Sequence, residues 1–192
     1  MEYLDIVDEL GMPTGKTVSR RIAHRDGILH RTAHVWVVRP SDKDKEYDIL
    51  LQKRSMEKES FPGLYDTSSA GHIPAGEEPV PSALRELQEE LGIRADAEQL
   101  HYAGSFRIQY EKEFHGKLFR DNEVTNVYVY SEPVDIDSLM LQASEVDEVR
   151  WFGLDEVWNE IQHSRERFCV PTAGLKVLRD CLFRSVTGRP ES

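Results

Sequence analysis

Twenty-three residues, from Gly71 to Ile93 (GHIPAGEEPVPSALRELQEELGI), place five glutamates and one arginine between two glycines. A helix turns about 100° per residue, so Glu86, Glu89 and Glu90, at i, i+3 and i+4, share one face with Arg85 beside them. Ala83, Leu84, Leu87 and Leu91 fill the opposite arc. The segment is therefore a two-faced helix whose apolar side must be buried and whose acidic side repels itself unless a cation lies against it. Arg85 alone cannot neutralise three carboxylates. Oxygen ligands clustered without His or Cys in the same turn favour Mg²⁺ or Mn²⁺ over Zn²⁺, and Mg²⁺ characteristically also binds substrate phosphates. The helix thus predicts both a fold element with one buried face and a phosphate chemistry.

Written as Gly, five residues, Glu, seven residues, Arg-Glu-apolar-X-Glu-Glu-X-Gly-apolar, the segment resembles the signature of the Nudix hydrolase superfamily. Gly71, Glu77, Arg85, Glu86, Leu87, Glu89, Glu90, Gly92 and Ile93 occupy its fixed positions. The resemblance implies an α/β protein, a Nudix-type α/β/α sandwich with a mixed sheet and a catalytic loop-helix-loop. It also implies a metal-dependent hydrolase that cleaves a diphosphate bond in a nucleoside diphosphate linked to another moiety, or in a related organic diphosphate. Glu86, Glu89 and Glu90 would hold Mg²⁺, or Mn²⁺, with the carbonyl of Gly71 and an acid outside the motif, for which Glu123 is the candidate. Arg85 would pair with Glu77 or Glu86 and align the carboxylates. Gly92 would end the helix at positive φ, and either Glu86 or another of the glutamates would serve as general base.

The surrounding pattern is consistent with that architecture. Residues 3–7 (YLDIV) and 17–19 read as a hairpin, followed by a short helical piece near Ser19–His24. AHVWVVR from Ala33 and DILLQK from Asp48 read as strands flanking the polar loop SDKDKE. Tyr102–Phe114 alternates apolar and polar residues, Val124–Tyr130 is strand-like, Val149–Phe152 is a short strand, and Leu154–Ile161 and Gly174–Phe183 are amphipathic helices. We expect one domain over 1–192, with a core at about 30–162, an N-terminal hairpin extension at 1–29 and a C-terminal helix at 170–186.

A second resemblance covers more of the chain. His24, LHRTAH from Leu29, LLQKRS from Leu50 and FPGLYDTSSAGH from Phe61 to His72 are similar to type 1 isopentenyl-diphosphate isomerase, a specialised member of the same superfamily. The resemblance implies a second metal held by three histidines and two acids, matching His24, His30, His72, Asp121 and Glu123. The same residues could instead contact substrate phosphate or satisfy backbone groups. In that enzyme a cysteine just before the Gly-His pair transfers a proton. Here that position is Ala70, and a methyl group moves no proton, which counts against isomerase activity. An isomerase-like enzyme and a non-catalytic Nudix-fold ligand sensor are the alternatives to hydrolysis. His34, within a strand-like run, reads as packed. Arg54, Lys53 and Arg31 are candidate phosphate contacts, Arg54 foremost; Trp36 and Trp151 read as core aromatics.

Thirty-five Asp and Glu against 24 Lys and Arg give a net charge of −11, which argues against a nucleic-acid or anionic-membrane surface. No run of apolar residues is long enough to span a bilayer and no leader pattern opens the chain, so a soluble cytoplasmic protein acting on a small-molecule diphosphate is expected. Cys169 and Cys181 read as reduced thiols near the last helix. Homodimerisation is left open by the sequence.

Overall fold

In the computed structural model, residues 2–42 and 46–187 are described; the middle of the SDKDKE loop and both ends of the expected 1–192 domain lie outside them. Strands β1 (Tyr3–Val7) and β2 (Pro13–Ser19) form an antiparallel hairpin, and helix α1 (Arg20–Asp26) follows. Then come β3 (His30–Pro40), β4 (Tyr47–Arg54), β5 (Tyr65–Asp66), β6 (Ser69–His72), α2 (Pro79–Leu91), β7 (His101–Phe114), β8 (Lys117–Tyr130), β9 (Val146–Gly153), α3 (Leu154–His163) and α4 (Thr172–Thr187). Among the described residues, seven strands join in a mixed sheet of order β5-β4-β3-β8-β7, with β6 on β3 and β9 on β4. β3 is the axis: it runs parallel to β8 and antiparallel to β4 and β6.

Alternation along β3 sends successive side chains to opposite faces. Ala33, Val35 and Val37 pack with Leu50, Tyr128 and Tyr130 against Ala83, Leu87 and Leu91 of α2. Trp36 and Val38 pack with Ile49, Val127 and Val129 against Val157 and Ile161 of α3 and Leu175, Leu178 and Leu182 of α4. The sheet is thus covered on both faces, an α/β/α sandwich, which is why β3 reads as a nearly continuous apolar run. Pro79 at the first turn of α2 and Gly92 at its end (φ 73°) delimit the helix where the motif predicts. Strand β8 begins seven residues earlier than its apolar pattern suggests, because Lys117–Glu123 extend a long hairpin with β7 that projects beyond the core. Trp36 is fully buried, whereas Trp151 is half-buried under the Arg39 guanidinium, 4.2 Å from its ring centre. Cys181 packs beside the α3–α4 core and Cys169 Sγ lies 3.4 Å from the Tyr65 carbonyl. No helix among the described residues is long and apolar enough to cross a membrane.

Candidate active site

The apolar stripe of α2 fixes the helix's rotation, and that rotation turns Glu86 and Glu90 toward β6. Glu90 is 4% exposed; its Oε2 accepts from Gln52 Nε2 at 3.0 Å and from the Ala70 N–H at 3.1 Å. Burial, and then the charge of Glu86, push its carboxyl up to about 7. Glu86 lies against Gly71 so closely that a Cβ there would fall 2.1 Å from its Cδ; only glycine admits the approach. Burial raises the Glu86 carboxyl as well, with Arg85 acting against the shift. Arg85 Nη1 donates to Glu86 at 2.8 Å and to the exposed Glu89 at 3.2 Å, while Nη2 reaches the His72 carbonyl at 3.4 Å. The expected pairing of Arg85 with Glu86 is therefore present and is joined by Glu89. Glu77 accepts instead from the Ser82 hydroxyl at 3.1 Å. One buried and one half-buried carboxylate with one partly committed arginine form the hard, oxygen-rich donor set that suits Mg²⁺ or Mn²⁺.

A second group occupies the other face of the sheet. His24 comes from α1, His30 from the start of β3, His72 from the end of β6 and Glu123 from β8, and their ligand atoms all lie within 4.8 Å of one another. The register explains the meeting: His30 is paired with Glu123 across β3–β8, and Thr32 with His72 across β3–β6. His24 Nε2 is 3.0 Å from His72 Nε2, and Glu123 Oε1 is 3.5 Å from His30 Nε2 and 3.8 Å from His72 Nε2. His30 Nδ1 donates to the Ile28 carbonyl at 2.8 Å, which leaves the Nε2 lone pair facing the group. Thr32 Oγ1 donates to Glu123 Oε2 at 3.0 Å and so orients the carboxylate. Asp121 lies beside them, its Oδ1 3.6 Å from His24 Nδ1.

Burial, then the nearness of His30, lowers His24 to about 4, and burial holds His72 well below its ordinary value, so both imidazoles are neutral at neutral pH. Burial and the Glu123 charge push the Asp121 carboxyl well above the usual carboxylate range. His24 Nδ1, His30 Nε2 and Asp121 Oδ1 are buried without a hydrogen-bond partner, a cost that a cation would remove. Neutral imidazoles with a carboxylate are the donor chemistry of Zn²⁺ or Mn²⁺.

The two groups meet at three consecutive residues. Ala70 gives its N–H to Glu90, Gly71 accommodates Glu86, and His72 enters the histidine group. Ala70 is paired with His34 on β3, so its methyl points to the histidine face. Glu123, read from sequence both as the outside acid of the helix site and as a partner of the histidines, makes its contacts with histidines on the face away from α2. The Arg54 guanidinium is held by Asp66 at 3.0 Å and by the Ser60 carbonyl and hydroxyl at 2.9 and 3.1 Å, so it would have to break an ion pair to take phosphate. Arg31 is buried against Asp5 and the Glu77 carbonyl. His34 is buried, edge-on to Phe106 at 5.8 Å.

Gln52, Thr32 and Phe119, whose ring stacks on His24 at 4.3 Å, were not singled out from sequence. Phe119 adjoins Phe114 and Tyr110, and both of these meet Phe61, making an aromatic wall between the β7–β8 hairpin and the loop before β5. The alternation in β7 marks its aromatic positions, but nothing local says which wall they build. A cavity of about 260 Å³ lies along the outer side of the same hairpin, touching this site through Tyr110 and Asp121.

The profile described as NUDIX domain matches residues 29–170. An uncharacterized Nudix hydrolase of Clostridium acetobutylicum is 38% identical over 156 residues, covering 81% of this chain and 72% of that protein. Nudix hydrolase 3 of Arabidopsis thaliana is 37% identical over 160 residues, covering 82% of this chain but 20% of the plant protein, so this chain spans about a fifth of that relative's length. An isopentenyl-diphosphate Delta-isomerase of Ruegeria pomeroyi is 31% identical over 153 residues, covering 79% and 77% of the two chains. Among solved structures, a Deinococcus radiodurans protein superposes with TM-score 0.67 at 19% identity, covering 94% of this chain and 99% of that one. A MutT protein of Methanosarcina mazei superposes with TM-score 0.59 at 16% identity, covering 84% and 96%. These two likenesses show the fold.

Proposed function

The chain belongs to the Nudix family, whose members cleave diphosphate bonds, and from that premise we propose that it hydrolyses a nucleoside diphosphate linked to another moiety, or a related organic diphosphate, in a single Nudix domain. The observation that carries the reading is the lodging of buried Glu90 under the Ala70 N–H and of half-buried Glu86 against Gly71, two carboxylates whose proton affinity burial raises and whose ionised forms a cation would offset. Mg²⁺ or Mn²⁺ held by Glu86, Glu89, Glu90 and the Gly71 carbonyl would offset charge on the phosphoryl oxygens and lower the pKa of the attacking water. The protein's own residues do the rest. Arg85 aligns Glu86 and Glu89 through one nitrogen. Glu90 spends Oε2 on two hydrogen bonds, and burial raises the proton affinity of both it and Glu86, the direction a general base requires.

The test is a product-resolved screen of nucleoside di- and triphosphates, nucleotide sugars, dinucleoside polyphosphates and isoprenoid diphosphates with Mg²⁺ and with Mn²⁺. Turnover that is lost in Glu86→Gln and Glu90→Gln supports hydrolysis at this face. Ligand binding without turnover across the panel would replace it with the sensor reading.

The assembled histidine group favours one second reading, an isomerase-like enzyme working on the face that Ala70 lines. It lacks a proton-transferring side chain at position 70, and interconversion of five-carbon diphosphates by the wild-type protein would rank it first.

A further inference from the structure

The segment between His72 and α2 is held at four successive points by elements outside the motif. Ile73 N–H donates to the Arg31 carbonyl at 3.1 Å and Ala75 N–H to the Tyr3 carbonyl at 2.9 Å. Gly76 N–H donates to Asp5 Oδ2 at 2.9 Å, and Arg31 Nη2 donates to the Glu77 carbonyl at 3.0 Å and to Asp5 Oδ2 at 3.2 Å. Asp5, from β1, and Arg31, from β3, are each 8% exposed. A buried ion pair stabilises little, because desolvation offsets the attraction, and two apolar residues of similar volume would fasten the hairpin to β3 as well. What apolar residues could not do is engage a specific N–H and a specific carbonyl of the loop.

We propose that Asp5 and Arg31 are positioning residues for the cation site of α2: the pair sets the 73–77 loop and thereby the approach of Glu86 and Glu90 to Gly71. The inference rests on the assignment of the acidic α2 face to a cation. Gly71 lies just before the loop and α2 just after it, so a shift at Gly76 or Glu77 is passed to both sides of the site. The N-terminal hairpin, preceded by Glu2, whose charge adds to the repulsion at Glu86, is in this account part of the apparatus that forms the α2 site. Arg31 Nε remains buried and unpaired, an unmet donor whose cost is consistent with geometry being selected over stability.

The experiment titrates the full chain with MgCl₂ by calorimetry and follows thermal unfolding in parallel. Asp5→Asn keeps an acceptor for Gly76 but leaves Arg31 without its counter-ion; Arg31→Lys keeps the charge but ends one bond short of Nη2, the nitrogen that meets both Asp5 and the Glu77 carbonyl. Val18→Ala loosens the same hairpin from its own small core without touching the loop. Asp5→Asn and Arg31→Lys are expected to weaken Mg²⁺ about tenfold or more, the range for groups that orient ligands, whereas Val18→Ala lowers Tm and leaves Mg²⁺ affinity unchanged. The double replacement Asp5→Leu with Arg31→Met should regain Tm without regaining Mg²⁺ affinity. If Asp5→Asn does not fold, Arg31→Lys decides alone. Mg²⁺ affinities within twofold of wild type in the folded pair variants, or an equal loss in Val18→Ala, would overturn the proposal. A wild-type chain that binds no Mg²⁺ would overturn the cation assignment beneath it, a result distinguishable from either.

Discussion

Glu90→Gln should stabilise the metal-free protein while disabling it. Glu90 is buried, and its carboxyl is raised from an ordinary 4.5 to about 7 by burial and by Glu86. A group whose folded pKa is raised binds its proton more tightly in the folded chain. Its contribution to stability is therefore fully present below pH 4.5 and is lost as pH climbs through 7. Above pH 7 the ionised carboxylate destabilises the fold by the shift multiplied by about 1.4 kcal/mol per pH unit, or about 3 kcal/mol. Glutamine removes that term and keeps a carbonyl oxygen for Gln52 and the Ala70 N–H. For a chain of this size the gain corresponds to roughly 6–12 °C in Tm.

Thermal unfolding in chelator at pH 8 should place the variant above wild type by that margin. At pH 5 the gap should shrink to under about 1 kcal/mol, because the wild-type side chain is then protonated. Millimolar Mg²⁺ at pH 8 should raise wild type far more than the variant, by mass action on a site that only wild type has intact. A variant less stable than wild type at pH 8 without metal, or a gap that does not change with pH, would refute the claim that this carboxylate is held at a cost.

Gly71→Ala places a methyl where Glu86 Cδ stands, 2.1 Å away; turnover should fall about 100-fold, the scale of a misplacement near 1 Å, with an unchanged circular-dichroism spectrum, and full activity would show that Glu86 is free to move. His72→Gln should abolish retention of Zn²⁺ or Mn²⁺ after dialysis, measured as metal per chain, since it removes one member of the group that closes within 4.8 Å; retention at wild-type stoichiometry would mean that His72 is not a ligand. Gly92→Ala forces φ 73° on a residue with a Cβ and brings it within 3.2 Å of the Met140 backbone, so a loss of at least about 1–2 kcal/mol is expected from denaturant unfolding. Ala70→Cys places a thiol on the histidine face; any gain of interconversion between five-carbon diphosphates, measured against wild type, would show that His24, His30, His72 and Glu123 are still arranged for that chemistry.

Much of the α2 site is written locally. The spacing of Glu86, Glu89 and Glu90 with Leu87 and Leu91 requires one acidic and one apolar face, and Gly92 ends the helix where positive φ is needed. Which of the three acids is buried is not local. Glu90 is buried and Glu89 exposed because Ala33, Val35 and Val37 set how α2 rolls on the sheet. Gln52 on β4 and the Ala70 N–H on β6 complete the Glu90 environment from strands that approach only through β3. Arg54 illustrates the opposite limit: a basic residue at a strand end reads as a phosphate contact until folding brings Asp66 and Ser60 to it.

By itself the sequence determined the helix, its two faces, the demand for a cation and the absence of a proton donor at position 70, because each depends on residues within a few turns of one another. Only the tertiary structure decided which of the two donor groups Glu123 touches, that Asp5 and Arg31 grip the loop before α2, and that the two groups lie on opposite faces of one sheet, joined through Ala70–Gly71–His72. The physical reason is strand register: His30 meets Glu123 across 93 positions of chain by a parallel pairing, and such long-range register is set by how both sheet faces pack rather than by any local pattern.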